Sequence, residues 1–230
     1  MNEEILLDNL NQIKENINQH SPYPDKVKII AVTKNFSHHA IISAVKQNVA
    51  CIGENRVQEF FNKKEKLKNI NIEAHLIGHL QSHKINKALK IFDIIQTIDT
   101  FKIANKINQK LKKINHQKYA FLQLNLAQDS NKHGFSNINL WKEVEKIQKL
   151  ENIKIKGIMT ILPFLENVQN TEKMFEKTRV TAEEIKQKIA PQCDSLSMGM
   201  SRDYIYALKQ GATHIRIGTM LYGKIGRAHV

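Results

Sequence analysis

Apolar positions follow two alternating rhythms along the chain. Leu6, Leu10, Ile13 and Ile17 recur at helical spacing and predict a helix over residues 2–19, which the following SPYPD ends. Residues 27–34 (VKIIAVTK) form a continuous apolar run of strand length, and Ala40, Ile41, Ala44 and Val45 then resume a helical stripe. The alternation repeats. Further strand candidates are VACIGEN (49–55), EAHLIGH (73–79), IIQTID (94–99), YAFLQLNL (119–126), IKIKGIMT (153–160), DSLSMG (194–199) and HIRIGT (214–219). Between them lie helical stripes: one from about Val57, then one with Ile85, Ala88 and Leu89, and one with Phe101, Ala104, Ile107 and Leu111. Trp141, Val144 and Ile147 mark the next, Met174, Thr178, Ala182, Ile185 and Ile189 a long one, and residues 202–209 a short one.

Strands that alternate with helices imply parallel pairing through helical crossovers, and eight of them favour a closed (β/α)8 TIM barrel of the α/β class. An open sheet is the alternative, because the pattern does not fix strand order. After the eighth strand there is little room for an eighth outer helix, so the N-terminal helix is expected to take that place. No linker divides the chain, and residues 1–230 are read as a single domain.

Composition narrows the function classes. Of 230 residues, 41% are hydrophobic and 25% charged, as in a globular protein with a core. The acidic MNEEILLDNL start is unlike a signal peptide, and no apolar run reaches the ~20 residues of a bilayer span. Cys51 and Cys193 stand far apart, outside any CxxC pattern, so neither a disulfide framework nor a zinc site is expected. A cytoplasmic protein without a membrane partner fits. The +13 formal charge could serve nucleic acid, yet the lysines are spread beside many Asn and Ile, and no nucleic-acid partner is expected.

In such barrels chemistry gathers at the C-terminal strand ends, here Lys34, Asn55, His79, Asp99, Asn125, Met159, residues 198–201, and Gly218 with Thr219. A lysine rising from an apolar floor would be partly desolvated and free for Schiff-base formation. The small-residue turn SMGMSRD leads into a helix with Ser201 at its start, which suits an anion, although Ser201 could equally cap that helix. RIGT adds a close backbone approach at Gly218 and the Thr219 hydroxyl, as in phosphate sites built by the last two loops of barrels. Arg216 shares a strand face with Gly218, and a buried arginine needs an acceptor: a ligand ring nitrogen, a carboxylate, or a structural partner such as Glu54 or Asp99.

Two motifs are set aside. GTMLYGK resembles a P-loop, but Ile225 stands where Ser or Thr should ligate magnesium. His75, His79 and His83 recur every four residues, but the run starts in a strand and crosses a loop, so no shared face and no metal are expected.

The ordered motifs AVTK, IGENRVQE, HLIGHLQSHK, QTID, QLNLAQDSNKHGF, GIMT, LSMGMSRD and RIGTMLYG resemble those of the pyridoxal phosphate homeostasis protein family, over residues 27–223. The resemblance implies a barrel like the N-terminal domain of alanine racemase that holds pyridoxal 5′-phosphate (PLP). By it, Lys34 is the Schiff-base lysine, Ser201, Gly218 and Thr219 hold the phosphate, Arg216 faces the pyridine nitrogen, and Asn55 lines the pocket. Arg56, His83 and the terminal KIGRAHV depart from the family pattern. The function implied is vitamin B6 homeostasis: a monomeric carrier with little or no catalysis that buffers PLP and supplies apo PLP-dependent enzymes. A small PLP-dependent amino-acid racemase, with Tyr204 as helper, is the alternative.

Overall fold

The structure, a computed structural model, describes residues 3–126, 133–136, 140–163 and 167–223. Eight parallel strands close in sequence order: β1 (Lys28–Val32), β2 (Cys51–Glu54), β3 (Glu73–Leu76), β4 (Ile94–Ile98), β5 (Lys118–Leu124), β6 (Ile153–Thr160), β7 (Ser195–Met200) and β8 (His214–Ile217). β8 returns to β1, with Lys28 opposite His214 and Ala31 opposite Ile217. The closed barrel is thus the TIM barrel expected, and the open sheet is excluded.

Around it run α1 (Leu7–His20), α2 (His38–Lys46), α3 (Val57–Lys64), α4 (Ile85–Ile91), α5 (Phe101–Lys113), α6 (Leu140–Gln148), α7 (Val168–Lys188), α8 (Tyr204–Lys209) and α9 (Thr219–Tyr222). Period-two alternation sends Ala31, Ile52, Ala74, Ile95 and Ile215 outward against the apolar helix stripes, where the largest core lies. Helix starts are secured locally: Ser37, Thr100 and Asn167 side chains accept the His39, Ile103 and Gln169 amides.

The N-terminal helix does occupy the outer position beside the eighth strand, packing against α8 and α9. It begins later than its apolar spacing suggested. Leu6 is extended rather than helical and stays partly exposed, because its amide is bonded to the Leu221 carbonyl (2.8 Å); Ile5 is buried in its stead. Asn9 Nδ2 donates to Met220 O (2.7 Å) and Asn16 Nδ2 to the Tyr204 hydroxyl (2.7 Å).

Two glycines shape the mouth. Gly199 has φ +88°, and a Cβ there would sit 2.6 Å from Ala207 Cβ and 2.9 Å from Tyr204 Cα. Only glycine takes this backbone cheaply, and the β7–β8 register shifts between Ser197 and Met200, turning residues 200–201 toward the mouth. Gly78 lies against β2, where a Cβ would fall 2.1 Å from the Asn55 carbonyl oxygen.

Candidate cofactor site

A cavity of about 600 Å³ opens at the C-terminal end of the barrel. Lys34, Asn55, Ser201, Arg216, Gly218 and Thr219 all line it, so the six residues singled out from the sequence, drawn from β1, β2, β7 and β8 and the turns after them, meet at one place.

Lys34 follows β1 and is exposed at the cavity, so the expected desolvation is not supplied by the protein's own residues. Its neighbours are held firmly. Thr33 is buried, with its hydroxyl donating to Glu54 Oε1 (2.6 Å), and the Asn35 amide donates to Glu59 Oε1 (2.7 Å). Asn35 has φ +65°, a conformation that asparagine tolerates better than most side chains.

The loops after β7 and β8 meet where an anion was expected. Ser201 does not cap the helix that follows it, since α8 begins only at Tyr204. Its Oγ accepts the Met220 amide instead (3.4 Å), joining the two loops, while Asp203 Oδ1 accepts the Met200 amide (2.6 Å). Gly218 brings its backbone close to β1: a Cβ would stand 3.3 Å from Val32 Cβ and 3.4 Å from Val32 O. Ser201 and Thr219 hydroxyls therefore share this side of the cavity with a bare stretch of backbone.

Arg216 is buried, with Nη1 donating to Ser197 Oγ (2.8 Å) and Nη2 to Thr160 O (2.7 Å). Burial pushes its guanidinium down to about 10, partly offset by Asp203. The structural pairing with Glu54 or Asp99 is excluded: Glu54 is engaged by Thr33 and Lys63, and Asp99 Oδ2 by His79 Nδ1 (2.9 Å). Both acceptors of Arg216 are neutral, so a ligand acceptor at the cavity remains open to it.

Other strand ends do not join. Met159 is buried, the Asn125 amide bonds Phe135 O (3.0 Å), and His79 stacks on His133 beside Asp99 with ring centroids 3.8 Å apart. The 75, 79, 83 run is split, as expected: His75 lies inside the barrel, His79 at the mouth, and His83 on the exposed surface. His79, Asp99 and His133 could approach one ion, but the rings lie nearly parallel, 14° apart, so no point sits in both ring planes without rotation. KIGRAHV, residues 224–230, lies outside the described residues and takes the end of the P-loop-like motif with it. Tyr204, the candidate helper, is buried against α1 by its bond to Asn16, whereas Tyr206 lines the cavity; sequence reasoning missed it.

A parallel barrel with a lysine after its first strand and an anion-suited cradle after its last two is the class defined by the alanine racemase N-terminal domain, whose family profile matches residues 7–225; the chain belongs to that family. More particularly, the chain is 36% identical over 201 residues to the pyridoxal phosphate homeostasis protein of Synechocystis sp., covering 87% of this chain and 92% of the relative. The structure of PipY from Synechococcus elongatus PCC7942 with PLP bound is similar, with TM-score 0.83 and 34% identity, covering 92% of this chain and all of PipY. Alanine racemase of Clostridium difficile 630 shares the fold at TM-score 0.77 and 19% identity; 99% of this chain matches 59% of it.

Proposed function

We propose that the protein binds PLP at this cavity and serves vitamin B6 homeostasis as a carrier with little or no catalytic activity. The observation that carries the reading is the convergence of Lys34 with Ser201, Gly218, Thr219 and Arg216 on one cavity in a chain related to PLP-bound PipY. The residues fit the group. Lys34 offers an amine for the aldehyde, Ser201 and Thr219 offer hydroxyls where Gly218 leaves the backbone bare for a phosphate, Asn55 lines the wall, and Arg216 offers N–H donors to a ring nitrogen. Bound PLP supplies an electrophilic aldehyde and an electron-withdrawing ring.

Arg216 would make carbanion chemistry harder to support, since a permanent cation opposite the ring nitrogen disfavours its protonation and weakens the ring as an electron sink. Racemisation needs a base on each face, and Tyr204 is committed to α1. Tyr206 favours a second reading, weak racemase activity. Slow racemisation of alanine by wild type that is lost in Lys34→Ala and in Tyr206→Phe would establish that reading over the carrier. The carrier reading places the chain in the cytoplasm as a monomer that hands PLP to apo-enzymes, with no nucleic-acid or metal partner.

The deciding experiment adds PLP to wild type and Lys34→Ala, then records absorbance before and after borohydride. A yellow band fixed by reduction onto the Lys34 peptide, and lost in the variant, is expected. No band in wild type at saturating PLP would overturn the proposal.

A further inference from the structure

The barrel interior carries a chain of polar groups that begins at Arg216 and leaves the cavity behind. Arg216 Nη1 donates to Ser197 Oγ (2.8 Å), and Ser197 donates to Gln96 Oε1 (2.7 Å), crossing the barrel from β7 to β4. Gln96 Nε2 lies 2.7 Å from His75 Nδ1, and His75 Nε2 lies 2.7 Å from Glu73 Oε1. Lys28 closes the far end, with Nζ 3.0 Å from both Glu73 oxygens. Ser197, Gln96 and His75 are wholly buried. Branched apolar residues ordinarily fill this space in such barrels, and a buried polar layer holds only if every member is partnered.

The direction of the bonds is set from the two ends, since a guanidinium can only donate and the Glu73 carboxylate can only accept from a neutral imidazole between them. Ser197 Oγ accepts from Arg216 and turns its own hydrogen to Gln96 Oε1. Gln96 then presents its amide hydrogens to His75 Nδ1, which accepts as a bare ring nitrogen. The imidazole hydrogen sits on Nε2 and goes to Glu73. Four bonds run one way, from a cation at the cavity to a carboxylate near the barrel floor. The His75 bond, with Lys28 behind it, holds the Glu73 carboxyl down to about 2, so the chain ends on an anion.

We propose that Gln96, His75 and Glu73 are positioning residues for Arg216: acting through Ser197, they fix which way its guanidinium faces and so set the electronic state of the cofactor's ring nitrogen. The inference rests on the PLP reading of the site. A chain that ran the other way, or was interrupted, would free the Ser197 hydroxyl and leave the guanidinium with the Thr160 carbonyl as its remaining anchor among the described residues. None of the three residues lines the cavity, so an effect on the cofactor must pass through Arg216.

Gln96→Leu cuts the chain at its centre with a side chain of similar size. PLP binding, the absorbance of the bound cofactor and borohydride trapping on Lys34 are compared in wild type, Gln96→Leu, and Ile52→Val, a buried packing control on the outward face of β2. Trapping on Lys34 is expected to persist in Gln96→Leu, with a displaced absorbance maximum and roughly tenfold weaker binding, as the weakening of the Arg216 bond to the ring nitrogen gives. Ile52→Val should leave the absorbance in place. Unchanged absorbance and affinity in Gln96→Leu would overturn the positioning role while the PLP reading stood, whereas no trapping in wild type would overturn that reading itself. Should Gln96→Leu not fold, nitrogen NMR of the wild-type histidine rings decides. His75 must carry its hydrogen on Nε2 with Nδ1 bare, and a hydrogen on Nδ1 would sink the proposal.

Discussion

Lys63 Nζ lies 2.8 Å from the Thr33 carbonyl oxygen, so a buried lysine of α3 is fastened to the residue immediately before Lys34. The same ammonium meets Glu54 Oε1 (2.8 Å) and Glu59 Oε1 (2.7 Å), and Glu59 also takes the Asn35 amide. The backbone on both sides of the exposed Lys34 is thereby tied to one ionic cluster.

Lys63→Met should be costly. Burial already pushes the Glu54 carboxyl up against the pull of Lys63, and its Oε2 has no hydrogen-bond partner among the described residues. Removing the ammonium leaves a buried carboxyl held only by Thr33, a loss of about 3 kcal/mol. Urea denaturation would show it, and trapping of PLP at Lys34 should slow in the folded fraction. An unchanged denaturation midpoint would mean that the cluster is not the anchor.

Gly78→Ala and Gly211→Ala separate crowding from backbone strain. At Gly78 the new Cβ meets the Asn55 carbonyl oxygen at 2.1 Å, so β2 or the Gly78 turn must move, with a cost of about 2–3 kcal/mol and weaker PLP binding through Asn55. At Gly211 φ is +77° with open space around, so only strain of about 1 kcal/mol is expected, with PLP binding kept. Thermal melts and PLP titration of the two variants test the contrast.

Ser201→Ala removes a hydroxyl from the anion cradle and its bond to the Met220 amide. PLP affinity should fall about tenfold while that of pyridoxal, which lacks the phosphate, stays put. Equal losses for both ligands would place Ser201 elsewhere in recognition.

His214 ties stability to pH. Burial first, then the neighbouring His75 and Lys28, holds its imidazole down to about 3, against 6.5 when free. Between those values the unfolded chain carries a proton that the folded chain lacks, so this contribution is intact above about 6.5 and is lost as pH falls toward 3. The slope approaches 1.4 kcal/mol per pH unit for one proton. His214→Gln should flatten the fall in urea midpoint across that window, and an identical slope would rule His214 out as its source.

The eight strands were legible because strands buried on both faces read as unbroken apolar runs, and the cavity residues because they stand at or just past the ends of those runs, save Arg216, which shares a strand face with Gly218. Tyr206 was not. The short helix was expected from residue 202 and begins at Tyr204; each residue turns a helix by about 100°, so a two-residue shift exchanges the faces of Tyr204 and Tyr206. Lys63 was hidden among many lysines, and only its place on the inner side of α3 makes it an anchor. Gln96, Ser197 and His75 alternate correctly for inward positions, but the pattern does not say which polar groups meet across a closed barrel.

The joint between α1 and α9 gives the protein a consequence beyond binding. Leu6 and Asn9 hold the carbonyls of Leu221 and Met220, while Ser201 holds the Met220 amide. The proposed phosphate cradle is therefore also the latch where the first helix meets the last. Under the PLP reading, a vacant protein and a loaded one differ in how often this latch opens, because a ligand bound only to the closed form suppresses opening in proportion to its concentration. Vitamin status would then be recorded as the lifetime of a seam, legible to a protease or to hydrogen exchange in α1 without any change in the shape of the barrel.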